Sequence, residues 1–276
     1  MRRTIGLLCA LAGLLGCGPT LPPSADLEAL LEVEIPAEDP TLPTAMELLT
    51  RHIEATGMRN TIEASSSVRI RGLAEVAELG VEGEFEALRA RPSRSLLRMN
   101  LPSVGETVYG VDDGRGWMIH PMVGVQVFEG AARIKARQNA GYEHLLERPA
   151  GIEVYRTVGR KRFDRRDCYE VFGLLSDSEG LGLDVRERMF REYFEVESGL
   201  LAGVEEASDS TTGTVMVRST FRDYTDLGGS LVAKRTVQSS PGFDLTLTVE
   251  SVEYDVVPED AFDLPEQVTE LLQSAR

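Results

Sequence analysis

Side chains able to do chemistry are few and scattered in this sequence. Its three histidines, His52, His120 and His144, have no metal-ligand spacing such as H-E-x-x-H. No G-x-S-x-G elbow, phosphate-binding loop or dinucleotide fingerprint occurs. Asp112-Asp113-Gly114 and Asp177-Ser178-Glu179 are acidic enough to suggest an acid site or a calcium loop, but Asp and Gly together are turn formers first. His52 falls on the apolar stripe of its segment and reads as a packed histidine. Cys168 alternates with Asp167 and Tyr169 in a strand-like run, so it reads as a small packed side chain rather than a nucleophile. The chain is therefore expected to be no enzyme and to take neither cofactor nor metal. One basic run stands out: Arg160, Lys161, Arg162, Arg165 and Arg166. It is either a solvated hairpin or a patch that meets headgroups or an acidic partner.

One thiol sits in a reactive context. Arg2 and Arg3 precede an apolar run from Ile5 to Leu15. That run is shorter than the roughly 20 apolar residues a bilayer core requires. It reads as the apolar region of an export signal. Leu14-Leu15-Gly16-Cys17 resembles the bacterial lipobox, small residues before an obligatory cysteine. The resemblance implies cleavage after Gly16, diacylglycerol on the Cys17 sulfur and usually a further acyl chain, palmitate-like, on the new amino terminus. Two or more chains hold a protein stably on a membrane. The plain alternative is an ordinary export signal that happens to contain a cysteine. Gly18, rather than Asp, follows the cysteine. In the well-studied sorting system that implies the outer membrane, facing the periplasm.

The charge balance bounds the partners. Lys and Arg number 29 against 45 Asp and Glu, a formal charge of −16. Phosphate binding needs clustered cations, so nucleic acid is excluded as a partner and anionic headgroups are disfavoured for the chain as a whole. With Cys17 acylated, Cys168 would lack an intramolecular partner, and no disulfide framework is expected. A monomer is expected.

Residues 1–16 are thus read as a signal peptide and 17–43 as a lipidated cysteine followed by a Pro-rich acidic tether, with Pro19, Pro22, Pro23, Pro36, Pro40 and Pro43. Leu27, Leu30 and Leu31 could form a brief helix there. The folded domain is read as 44–276. Thr44-x-x-Glu47 is a capping box. Ala45, Leu48, Leu49, His52, Ile53 and Thr56 keep helical spacing, and Gly57 stops the helix. Period two then takes over: Val81, Gly83, Phe85 and Ala87 alternate with Glu82, Glu84 and Glu86, and Leu97, Met99 and Leu101 line one face of the next run. A helical segment at 129–148, gripping through Ala131, Ile134 and Leu145, interrupts the meander. Strands resume to residue 255, followed by a helical turn at 258–262 and a closing helix at 268–275. About eleven or twelve strands and three or four short helices are expected.

The order of these pieces is similar to the LolA/LolB-like lipoprotein-carrier fold. The local matches are the opening helix with its Gly57 break and Gly83-x-Phe85-x-x-Leu88-x-Ala90-Arg91-Pro92. Further along come Asp113-Gly114-x-Gly116-Trp117, Phe194-x-x-x-Ser198-Gly199-Leu200, Asp223-Tyr224 and Phe262-Asp263-Leu264-Pro265. The resemblance implies a mainly β (α+β) fold, a strongly curved antiparallel sheet or incomplete β-barrel, with short helices covering the concave face. It also implies an apolar cavity for acyl chains of a lipid or lipoprotein. Phe85, Leu97, Met99, Trp117, Phe190, Tyr193 and Phe221 are the candidates to line it, each of which could equally be ordinary core. The function implied is binding and handing on such chains in lipid or lipoprotein transport. The alternative is an envelope scaffold or sensor whose cavity is filled by its own side chains. The chain departs from the soluble carrier LolA in having a lipobox, and no segment matches the protruding apolar loop of LolB.

Overall fold

A computed structural model describes residues 35–274, apart from 113, 143–145, 147–150, 178, 179, 181, 183, 211, 212 and 241. The signal peptide, Gly16, Cys17, Leu27, Leu30, Leu31, Asp113, His144, Leu145, Ser178 and Glu179 lie outside the described residues, as does the Ala131 side chain.

The capping box forms as its spacing dictates. Glu47 N–H donates to Thr44 Oγ1 at 3.3 Å, and Thr44 N–H donates to Glu47 Oε2 at 2.7 Å. Two otherwise orphaned helix donors are thereby satisfied. Helix α1, Ala45–Thr56, buries the predicted stripe including His52, and Gly57 closes it in the left-handed conformation. Helix α2, Met58–Ala64, follows directly.

Two sheet halves follow. The first meander is β1 (Ser67–Val76), β2 (Val81–Ala90), β3 (Arg94–Leu101), β4 (Gly105–Asp112), β5 (Arg115–His120) and β6 (Gly124–Val127). Helix α3, Gly130–Ala140, is the predicted interruption. The second meander is β7 (Ile152–Phe163), β8 (Arg166–Leu175), a four-residue helix α4 (Val185–Arg188), β9 (Met189–Glu195), β10 (Leu201–Ser210), β11 (Gly213–Leu227), β12 (Ser230–Ser240) and β13 (Phe243–Tyr254). A 3-10 turn, Glu259–Phe262, and helix α5, Glu266–Ser274, end the described chain.

All thirteen described strands form one antiparallel curved sheet in the order β6-β5-β4-β3-β2-β1-β13-β12-β11-β10-β9-β8-β7. The first and last strands pair in the middle, while β6 and β7 stand at the two ends. α3 therefore joins one end of the sheet to the other. The β1–β13 ladder is irregular at Arg71/Gly72, where Glu250 is the extra residue. Such a bulge bends a sheet and increases its twist.

Register sets which side chains meet inside. Ile70 faces Ala87, Ala87 faces Leu97, Leu97 faces Tyr109 and Tyr109 faces Met118, one row across five strands. This row shares a buried cluster with Leu48, Leu49 and Ile53 of α1 and Met58 and Ile62 of α2. Full burial of each large aliphatic or aromatic side chain contributes about 1.5–3 kcal/mol, so this cluster is the main source of stability. The helices α1 and α2 cover the concave face. A second cover lies on the convex face, where Leu88, Leu96 and Trp117 pack under Phe262 and Val268 of the C-terminal 3-10 turn and α5.

The end of the segment read as a tether is in contact with the body. Asp39 N–H donates to the Thr157 carbonyl at 2.9 Å. Thr157 Oγ1 donates to the Pro43 carbonyl at 2.6 Å, and Arg156 donates to that of Pro36 at 3.3 Å. Residues 36–43 thus run along β7.

Candidate functional site

Strand phase decides which of the sequence-selected residues can share a site. Phe85 on β2 faces Met99 on β3, and Leu97 lies two residues from Met99 on the same face. All three are buried in the concave cluster, as is Phe221. Phe190 is buried on the same side, its ring packed over the bare Cα of Gly173 and its centroid 6.4 Å from that of Tyr155.

Trp117 and Tyr193 do not join them. Trp117 lies across Gly110 on the convex face, in the cluster under α5. Tyr193 stacks on Phe163 with centroids 4.2 Å apart, in a separate cluster with Cys168 and Ala202. Its hydroxyl donates to Glu205 Oε2 at 2.6 Å. Burial, with the adjacent Glu205 carboxylate, pushes its pKa up. Adjacent strand residues point to opposite faces, and the inward neighbours are Met118 and Phe194. Choosing the larger aromatic rather than the strand phase selects the wrong face at both places.

Sequence reasoning also missed a polar stretch of the concave wall. Glu192 on β9 faces Val204, which faces Ser219, which faces Gln238. Glu206 faces Phe190, and Thr236 faces Phe221. Glu192, Glu206, Ser219, Thr236 and Gln238 are all buried. Tyr155 donates its hydroxyl to Glu192 Oε2 at 2.6 Å. The oxygens Ser219 Oγ and Thr236 Oγ1 have no hydrogen-bond partner among the described residues. The period-two phase of Phe190-Glu192-Phe194 carries this signal in the sequence, but an acidic residue on a strand is read as solvated by default. The concave wall is therefore divided: mainly apolar on β1–β5, with Thr107 and Tyr109 among the polar exceptions, and mixed with carboxylates and hydroxyls on β9–β12.

Helix α3 lies against the mainly apolar half. A Cβ at Gly116 would sit 2.4 Å from the Phe128 ring and 3.0 Å from the Ala136 Cβ, so the missing side chain is the notch that seats the helix. Ala136, Ala140 and Tyr142 join the main cluster, a firmer grip than Ile134 with Ala131 and Leu145 would provide. Lys135 reaches across to donate to the Ala207 carbonyl on β10. Gln138 donates to the Gly151 carbonyl at 3.3 Å. The Tyr142 and Ser65 hydroxyls are 2.6 Å apart, and burial raises the Tyr142 pKa to about 12.

The remaining candidates are structural. His52 Nδ1 accepts the Leu201 N–H, and burial lowers its pKa to about 4. His120 Nδ1 accepts from Met122 N–H at 3.1 Å in a turn. Asp177 Oδ2 accepts from Gly182 N–H at 2.8 Å, which fits a turn. Cys168 is fully buried, and desolvation raises its pKa to about 11, which keeps the thiol protonated. No metal-binding group of three His, Cys, Asp or Glu occurs among the described residues. Nor is any described helix long and apolar enough to cross a membrane. A groove of about 500 Å³ on the convex face is lined by Arg71, Glu84, Glu86, Arg98, Asn100 and Glu250 with Gly72 and Phe85. Glu86 there lies 3.3 Å from Arg69 and 3.0 Å from Arg71. Such a lining suits ions and water rather than hydrocarbon.

No protein-family model matches the chain, and the search of curated proteins found no match. Solved structures do match. A DUF1329 family protein from Desulfovibrio piger is 12% identical, with a TM-score of 0.51 over 81% of this chain and 98% of that one. A LolA superfamily protein from Nitrosomonas europaea is 13% identical, with a TM-score of 0.51 over 81% and 99%. A domain from Vibrio parahaemolyticus, described as outer-membrane lipoprotein-sorting, is 11% identical, with a TM-score of 0.50 over 79% and 97%. The chain has a LolA-like fold, a mostly β, curved open sheet.

Proposed function

We propose that this chain is a membrane-anchored envelope lipoprotein, acylated on Cys17, that binds acyl chains of a lipid or lipoprotein beneath its helices and takes part in their transport or localisation. It works as a monomer, without covalent chemistry, and belongs to the outer membrane with its body in the periplasm. The lipobox supports the anchor, and the LolA-like fold supports an envelope location. The observation that carries the binding role is the mainly apolar concave wall of β1–β5, closed by helices on a sheet whose two end strands are joined through α3. With Thr107 and the Tyr109 hydroxyl among few polar exceptions, its buried side chains are apolar, which suits methylene groups better than a polar substrate.

In this reading α3 gives way as an acyl chain enters beneath it. Burying an acyl chain is worth about 0.8 kcal/mol per methylene, so about 10 kcal/mol for a dozen. That is of the size needed to offset lifting one short helix, which Ala136, Ala140 and Tyr142 seat in the main cluster and from which Lys135 and Gln138 donate to the Ala207 and Gly151 carbonyls. Phe85, Leu97, Met99, Phe190 and Phe221 would then meet the chain.

One observation favours the scaffold reading: those side chains are already buried against their own neighbours. Mass spectrometry of lipid extracted from the purified protein separates the two. Lipid at near-equal stoichiometry supports the carrier. A lipid-free protein that also takes up no fluorescent fatty acid would leave the scaffold.

A further inference from the structure

The strongest local departure from the acidic character of the chain is the β7–β8 hairpin. Arg160, Lys161, Arg162, Arg165 and Arg166 fall within seven residues there, on a chain of net charge −16. These cations divide into two kinds. Arg166 is structural: it donates to Glu195 at 2.8 Å, to the Phe221 carbonyl at 2.9 Å, to the Ala202 carbonyl at 3.0 Å and to Asp164 at 3.2 Å. The others are displayed, Arg160 and Arg162 on one face of the hairpin and Lys161 on the other, so that what they share is its projecting end rather than a face. Arg162 is 73% exposed, and its nearest carboxylate, Asp167, is 3.8 Å away and 83% exposed. Lys161 is 52% exposed and 3.9 Å from Glu170. Arg160 lies over the Tyr169 ring, and Arg165 is exposed at the tip. Exposed pairs at such distances hold their charges only weakly.

The tip is also built to hold its shape. Asp164 and Arg165 have φ of 46° and 65°, the left-handed region usually filled by Asn-Gly in such turns. Side chains there carry a steric cost. Arg222 offsets it by gripping Asp164 with two hydrogen bonds, 2.8 Å and 2.6 Å long. Together with Arg166, it fixes the turn from below. A glycine at 165 would relieve the strain, yet an arginine stands there, presented outward from a rigid base.

The hairpin also lies close to where the tether meets the body. Residues 36–43 run along β7 at Arg156 and Thr157. Arg160 is four residues further along that strand, about 13 Å at strand spacing.

We infer that the β7–β8 hairpin is a docking surface for the phosphate-bearing anionic face of a lipid bilayer, engaged through Arg160, Lys161, Arg162 and Arg165. The orientation it gives the body on the membrane rests on the Cys17 anchor proposed above, but the surface itself does not. The acidic remainder of the chain does not forbid this contact, because at physiological salt charges beyond about 8 Å are largely screened. Basic residues near a membrane act at that same short range.

The test is sedimentation of the full chain carrying Cys17→Ser with vesicles, so that no acyl anchor contributes. Phosphatidylcholine vesicles are compared with vesicles containing about a third phosphatidylglycerol. Any residual apolar attraction of the N-terminus is common to both, and Arg2 and Arg3 are replaced by Gln in every variant so that they add no anionic preference. The parent should partition at least tenfold more onto anionic vesicles at low salt, and half-molar salt should remove the preference. Replacing Arg160, Lys161, Arg162 and Arg165 by Glu should abolish it with an unchanged circular dichroism spectrum, because the Arg166 and Arg222 clamp is untouched. Arg165→Gln alone should weaken it severalfold. Equal partitioning of the parent on both vesicles would overturn the inference. So would a preference that survives the charge reversal, or binding to polyglutamate without binding to anionic vesicles, which would point to an acidic protein instead. None of these outcomes depends on whether Cys17 is acylated or a fatty acid enters the fold.

Discussion

His52 Nδ1 accepts the backbone N–H of Leu201 at 3.1 Å, joining the first helix to a strand 149 positions later in the chain. The ring is fully buried, with its edges toward Phe194 and Tyr224. Only the neutral imidazole can accept this bond. Desolvation lowers the His52 pKa to about 4 from 6.5, so the unfolded chain takes up the proton first as pH falls. The linked stability is complete above about pH 6.5 and is lost between there and pH 4. Its size is about 3 kcal/mol. Melting temperature should therefore fall between pH 7 and pH 4. His52→Asn, which keeps an acceptor but does not titrate, should flatten that part of the profile. An unchanged slope would show that His52 is not the group responsible.

Ser219 Oγ and Thr236 Oγ1 are buried without a hydrogen-bond partner among the described residues. Leaving such a group dry costs about 1–3 kcal/mol. Thr236→Val and Ser219→Ala should each raise the urea midpoint, by about 1 kcal/mol of stability. A fall of that size would mean that bound water or a ligand satisfies these hydroxyls in solution.

Gly116 gives α3 its seat. Gly116→Ala places a methyl group 2.4 Å from the Phe128 ring, and overpacking of this kind costs about 1–3 kcal/mol. Because the collision is with the helix and its lead-in, the loss should be local. Hydrogen exchange should quicken in 128–140 more than in β1–β3. If the carrier reading holds, uptake of a fluorescent fatty acid should also quicken. Uniform loss of protection across the sheet would argue that α3 does not move separately.

The anchor has a direct check. Cys17→Ser should abolish incorporation of a labelled fatty acid and leave the precursor uncleaved or misplaced. Label persisting on the variant would remove the lipobox from consideration.

Much of the architecture is legible in local sequence because local physics sets it. Thr44 and Glu47 announce a helix start, Gly57 its end, and Val81 to Ala87 a half-buried strand. β6 escapes notice because Gly124–Val127 is only four residues long. The face taken by Trp117 and Tyr193 is not legible, because period two gives two faces without saying which is concave. Helix α5 has the same ambiguity: its apolar stripe requires a partner but does not choose between the faces of the sheet. The run of 36–43 along β7 is hard to find in the sequence, since its hydrogen bonds to β7 use the Pro36 and Pro43 carbonyls and the Asp39 N–H, and Leu42 alone packs on the main cluster. The polar stretch around Glu192 appears only once β9, β10, β11 and β12 are placed side by side.

The pairing of β1 with β13 has a consequence for how the chain is made. Val68 is matched with Tyr254, so the ladder at the middle of the sheet joins segments from opposite ends of the described chain. When β1 to β6 leave the ribosome, β1 has one side without a partner and its apolar row is only partly covered. The missing strand is the last to be synthesised. Contacts this distant are slow to form, and exposed strand edges invite association with other chains. Truncation before Phe243 should therefore yield aggregate rather than a smaller folded body, and any pause in synthesis between β6 and β13 prolongs the vulnerable state.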